Sequence, residues 1–129
     1  MKLKTAEEIV VEAPHSVDVL SRITESICCS HVRITAICGY ESDGKAHVRI
    51  VTEDNERALA ALRAGGFDVS THTVMLGETS PHMAHPHLEG LYGEVEIENN
   101  YWCAATHSGE HALIVFSTKD NMRPISAHM

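Results

Sequence analysis

The stretch Trp102–Asn121, WCAATHSGEHALIVFSTKDN, can be laid over Ile37–Asn55, ICGYESDGKAHVRIVTEDN. Cys103 falls on Cys38 and Gly109 on Gly44. After one extra residue, Asp120-Asn121 falls on Asp54-Asn55. Each copy reads as strand, glycine turn, strand, then an Asp-Asn suited to opening a helix. A chain of 129 residues that carries one hairpin twice is one domain, or two small ones sharing a core. No other feature restricts the fold as much.

The residues around the first copy supply the rest of a unit. EEIVVEA is β-branched and runs into Pro14, so it predicts a strand. Ser16 is placed to cap a helix, with Asp18 in its first turn. Val17, Leu20, Ile23, Ile27 and His31 recur at three- and four-residue steps, the stripe of an amphipathic helix. Val32, Ile34, Ala36, Cys38 and Tyr40 alternate along a second strand. Asp43-Gly44 turns the chain, and Val48, Ile50 and Thr52 alternate along a third. Asp54 caps NERALAALRA, with Ala58, Leu59 and Leu62 inward and Gly65-Gly66 as its stop. FDVSTHTVML then predicts a long fourth strand. The order is βαββαβ, an α+β ferredoxin-like sandwich, partially duplicated.

The expected organisation is a complete module over residues 1–77 and a truncated second module over 78–129, sharing the strand 67–78. Between them ETSPHMAHPH is a polar loop. Leu88, Leu91, Tyr92 and Val95 then carry a short helical stripe, weakened by Gly90 and Gly93. A truncated repeat leaves an exposed sheet edge, so at least a homodimer is expected.

Three segments carry a resemblance: EAPHSVDVLSRITESI, VRITAICGYESDGKAHVRIVTEDNERALAAL and GLYGEVEIENNYWCAATHSGEHALIVFSTKDN. Together they resemble the ACT-domain family, and specifically small proteins made of two ACT modules in tandem. The resemblance implies a regulatory module that senses a small molecule, commonly an amino acid, at an interface between modules. Carried onto this chain, it implies ligand contacts from His15, Ser16, Val17 and Asp18 in the loop after the first strand. Arg33 is implied at the start of the second strand, and Asn99, Asn100 and Tyr101 before the second hairpin. Where the family commonly has glycine, this chain has Asp18; Val17 replaces a proline, and Arg33-Ile34 an Asn-Ile pair. A carboxylate at Asp18 repels an anion and attracts an amine.

The histidines offer a second reading, since ten in 129 residues is an excess. His82, His85 and His87 could present imidazoles to a divalent Zn, Ni or Cu ion. That makes a metal-binding ferredoxin-like protein the alternative function. Structural zinc normally takes four ligands, and the loop holds no cysteine. Cys103 and His107 share a strand face but lie about 13 Å apart, too far for one ion. His107 and His111 could meet across their turn, as cross-strand surface histidines do.

Other classes are disfavoured. The net charge of -8 and the scattered Lys and Arg argue against nucleic acid, which demands a clustered basic surface. No apolar run reaches the roughly 20 residues of a membrane helix, and the N-terminus does not read as a signal peptide. A cytoplasmic protein is expected. Its thiols, Cys28, Cys29, Cys38 and Cys103, are expected reduced and mostly buried. No nucleophile elbow, triad setting or phosphate-binding glycine loop opens a helix. The reading names no catalytic residue, no required cofactor and no enzyme. Trp102 is expected to face a core or a partner.

Overall fold

The structure is a computed structural model and describes residues 2–80, 103–106 and 112–116. The elements are β1 (Lys2–Pro14), α1 (Val19–Cys28), β2 (Ile34–Ser42), β3 (Lys45–Thr52), α2 (Asn55–Ala64), β4 (Asp68–Thr79), β5 (Cys103–Thr106) and β6 (Ala112–Phe116). The chain divides into two compact units, Glu7–His72 and Met1–Ala6 with Thr73–Met129. The division falls inside β1 and inside β4.

In Glu7–His72 the strand order is β2-β3-β1-β4, and every pairing of the hairpin is antiparallel. Ile9 faces Ile50 and Val11 faces Val48 across β1 and β3. These residues, with Ala46, meet Val19, Ile23 and Ile27 of α1 and Ala58 and Leu62 of α2 in one buried cluster. Both helices therefore cover one sheet face. Burying each such aliphatic side chain contributes about 1.5–3 kcal/mol, so this cluster outweighs any single cap or surface ion pair. The βαββαβ order expected from the sequence is the order found.

The other face of the same strands buries Ala36 and Val51 and also carries polar groups. Arg49 meets the fully buried Glu8 at 3.1 Å. His47 stands 3.5 Å from Glu12, and its ring stacks on Tyr40 with centroids 4.9 Å apart. The pairings Glu12↔His47 and Tyr40↔His47 put all three on one row.

Several local expectations need correction. The buried stripe of α1 is Val19, Ile23 and Ile27, whereas Val17 is 106% exposed and Leu20 49%. The helix starts at Val19, so a strict four-residue step from there fixes the inward face. His31 is exposed and left-handed, with φ 60°, beyond the helix end. β1 begins at Lys2, earlier than the β-branched run indicates, because Leu3 is buried between exposed Lys2 and Lys4. In β2 an irregularity between Ile34 and Ala36 shifts the register. Ile37, opposite Ile50, then faces the helices, while Ala36, Cys38 and Tyr40 face away.

In the other unit the order is β1-β4-β6-β5, with β6 antiparallel to both β4 and β5. The later hairpin thus joins its neighbour through its second strand, as β3 joins β1. Glu41 pairs with Ala46, whereas its counterpart Thr106 pairs with Ala112, one residue further on. Leu113, Ile114 and Val115 are buried, as are Val74, Met75 and Leu76.

Candidate functional site

The loop His15–Asp18 joins β1 to α1, and its backbone is fixed at both ends. The His15 amide donates to the Gly44 carbonyl at 2.9 Å, tying the loop to the β2–β3 turn. That turn places Asp43 at φ 53° and Gly44 at φ 74°, the left-handed pair of a tight hairpin. At the helix end the Val19 amide donates to the Ser16 carbonyl at 3.3 Å, and the Arg22 amide to the Asp18 carbonyl at 2.9 Å.

Asp18 holds the N-cap position, where Ser16 was expected, yet makes no side-chain cap bond. Its Oδ1 instead accepts the Ser16 hydroxyl at 2.9 Å. Among the described residues the amides of Leu20 and Ser21 have no acceptor. The helix therefore presents amide donors and its positive dipole end beside one exposed carboxylate. The arrangement offers donors to a carboxylate and a counter-charge to an ammonium group.

Arg33 is at the other end of this unit. Its guanidinium lies 3.5 Å from Glu53, and its carbonyl accepts the Glu53 amide at 3.1 Å. The ten residues of α1 separate it from the loop, about 15 Å at the helical rise. One copy of the unit does not bring Arg33 together with His15–Asp18. Asn99, Asn100, Tyr101 and Trp102 lie outside the described residues. So do His82, His85, His87, His107 and His111, and the helical stripe Leu88–Val95. Among the described residues no group of three or more His, Cys, Asp or Glu is placed to hold a metal ion.

The thiols correct another expectation. Cys28 and Cys29 are both exposed and Cys38 is half-buried. With Ile27 facing the sheet at the last turn of α1, the next two positions rotate outward. Sequence reading also passed over what Cys29 joins: an open pocket of about 340 Å³ with Arg22, Glu25, Ser26, Gly65 and Phe67. The spacing of Arg22, Glu25, Ser26 and Cys29, at i, i+3, i+4 and i+7, is the signal that would have found it.

The sequence matches no protein-family model and no curated protein. Solved structures do match. Protein BT0572 from Bacteroides thetaiotaomicron aligns over 96% of this chain and 86% of its own, with TM-score 0.80 and 19% identity. The ligand-free regulatory subunit of aspartate kinase from Thermus thermophilus aligns over 98% and 94%, with TM-score 0.68 and 10% identity. The chain has an ACT-like fold. The regulatory subunit of aspartate kinase from Thermus flavus also aligns, over 98% and 96%, with TM-score 0.57 and 12% identity. Identities this low speak for the ACT-like fold and not for shared site residues. Among the described residues no helix is long and apolar enough to cross a membrane.

Proposed function

We propose that this ACT-like chain is a non-enzymatic regulatory protein that binds an amino acid at the His15–Asp18 loop and works as a homodimer. The observation that carries the reading is the N-terminus of α1, whose cap residue leaves the helix amides to another acceptor. A ligand carboxylate suits those amides, and the ligand's ammonium suits Asp18. The fold agrees with this role, since two aspartate kinase regulatory subunits share it over nearly the whole chain. Because Arg33 lies at the far end of its own unit, it joins the site only from a second copy. Dimerisation then completes the contacts, which is its purpose in this reading.

The electrostatics select among ligands. A dicarboxylate meets Asp18 with like charge and binds more weakly than an amino acid. Asp18→Gly removes that charge and strengthens binding of simple anions. A thermal-shift screen over the twenty amino acids, run with light scattering, tests the proposal. At a ligand concentration 100 times Kd the native state gains about 2.7 kcal/mol, a readily measured shift. No shift with any amino acid, together with a monomer mass of 14.2 kDa across micromolar concentrations, contradicts it.

A further inference from the structure

The pocket beside α1 runs from Arg22, in the first turn of the helix, to Cys29 at its C-cap, and it combines charge, an aromatic face and a thiol. Arg22 sits over the Phe67 ring, 5.3 Å from its centroid. Among the described residues neither Arg22 nor Glu25 has an ion-pair partner, so a cation and an anion stand one turn apart without a salt bridge. Cys29 lies one turn beyond Glu25 on the same side and is exposed. The whole row spans about 10 Å at the helical rise.

Gly65 keeps the pocket open. Its φ is -80° and ψ 0°, a conformation any residue adopts, so the backbone does not demand glycine there. The left-handed position is the next one, Gly66 at φ 85°. A Cβ on Gly65 would instead stand 3.4 Å from two carbons of the Phe67 ring, in van der Waals contact with another residue that lines the pocket. The missing side chain thus provides room and not turn geometry.

We propose that this pocket takes a zwitterionic amino-acid disulfide and that Cys29 exchanges with it to form a mixed disulfide. Arg22 receives a carboxylate and Glu25 an ammonium, which brings a disulfide sulfur to Cys29 Sγ. The thiolate of Cys29 attacks that sulfur; the new S–S bond forms as the old one breaks. The departing half leaves as a thiolate and takes up the proton lost by Cys29. The Cys29 sulfur is oxidised and the bound disulfide is reduced by the same two electrons. This site shares no lining residue with the His15–Asp18 loop and stands if the amino-acid site there fails.

Cys28 supplies the internal control, being adjacent, also exposed and outside the pocket. The full-length chain is reduced and exposed to cystine, then to bis(2-hydroxyethyl) disulfide, which carries neither carboxylate nor ammonium. Mixed-disulfide formation is followed by mass spectrometry in Cys28→Ser, which retains Cys29, and in Cys29→Ser, which retains Cys28. With cystine, Cys29 reacts faster than Cys28 by about tenfold, and the preference disappears with the neutral disulfide. Adding Arg22→Gln, or independently Gly65→Ala, to Cys28→Ser lowers the cystine rate at Cys29 without lowering the neutral-disulfide rate. Equal rates at Cys28 and Cys29 with cystine, or the same preference with both disulfides, overturn the proposal.

Discussion

Both helices of the Glu7–His72 unit begin at an aspartate, and the two aspartates behave differently. Asp54 accepts the Arg57 amide at 3.2 Å and closes the first turn of α2. Asn55 beside it accepts the Thr52 hydroxyl at 2.6 Å and the Thr52 amide at 3.2 Å, while its amide group donates to the Glu7 carbonyl at 2.8 Å. The start of α2 is thereby fastened to β3 and β1. Asp18 makes no such bond, and the side chain that contacts it is Ser16, from its own loop. Among the described residues each helix start leaves two amides without an acceptor, Leu20 and Ser21 in α1 and Asn55 and Glu56 in α2, but only α2 has a side-chain cap bond and ties to two strands.

The largest expected effects should not distinguish the two helices. Ile23 and Leu62 are each fully buried in the common cluster, so Ile23→Ala and Leu62→Ala each cost about 2–5 kcal/mol in denaturant unfolding. A much smaller cost at Ile23 would break the comparison, since α1 would then be loosely attached as well as uncapped. Next, Asn55→Ala removes an acceptor and a donor that tie α2 to two strands, and about 1–3 kcal/mol is expected. Asp54→Ala removes one cap bond and costs about 1 kcal/mol. The smallest effect belongs to Asp18→Ala, which loses no cap bond and only a share of dipole stabilisation, about 0.5 kcal/mol or less. Equal costs for Asp18→Ala and Asp54→Ala would mean that the two N-termini are alike.

Much of this contrast could be read from the chain before its structure. Asp54 stood immediately before a helical run that Gly65-Gly66 closed, so its role followed from local chemistry. The start of α1 was less legible, because Ser16 and Asp18 are both good caps and Val17 and Val19 are both apolar. Only the packing of Val19, Ile23 and Ile27 decides between those registers. The irregularity at Ile34–Ala36 was hidden because Val32 to Tyr40 alternates without a break in the sequence. Lys2–Ala6 was missed as strand because a single buried Leu3 gives little periodic signal.

The candidate site divided in the same way. His15–Asp18 was legible as a strand-to-helix loop. The separation of Arg33 from it follows only once α1 is seen to run the length of the unit. The Cys29 pocket needs Gly65 and Phe67, which are distant in sequence and meet α1 only through the tertiary fold.

The central claim is that the N-terminus of α1 binds an amino acid while that of α2 serves the fold. Backbone amide resonances followed during titration with each of the twenty amino acids test it directly. The account predicts at least one amino acid that shifts the amides of Val17–Ser21 in a saturable manner and leaves those of Asn55–Arg57 in place. Shifts confined to the start of α2, or none at Val17–Ser21 with any of the twenty, would contradict it.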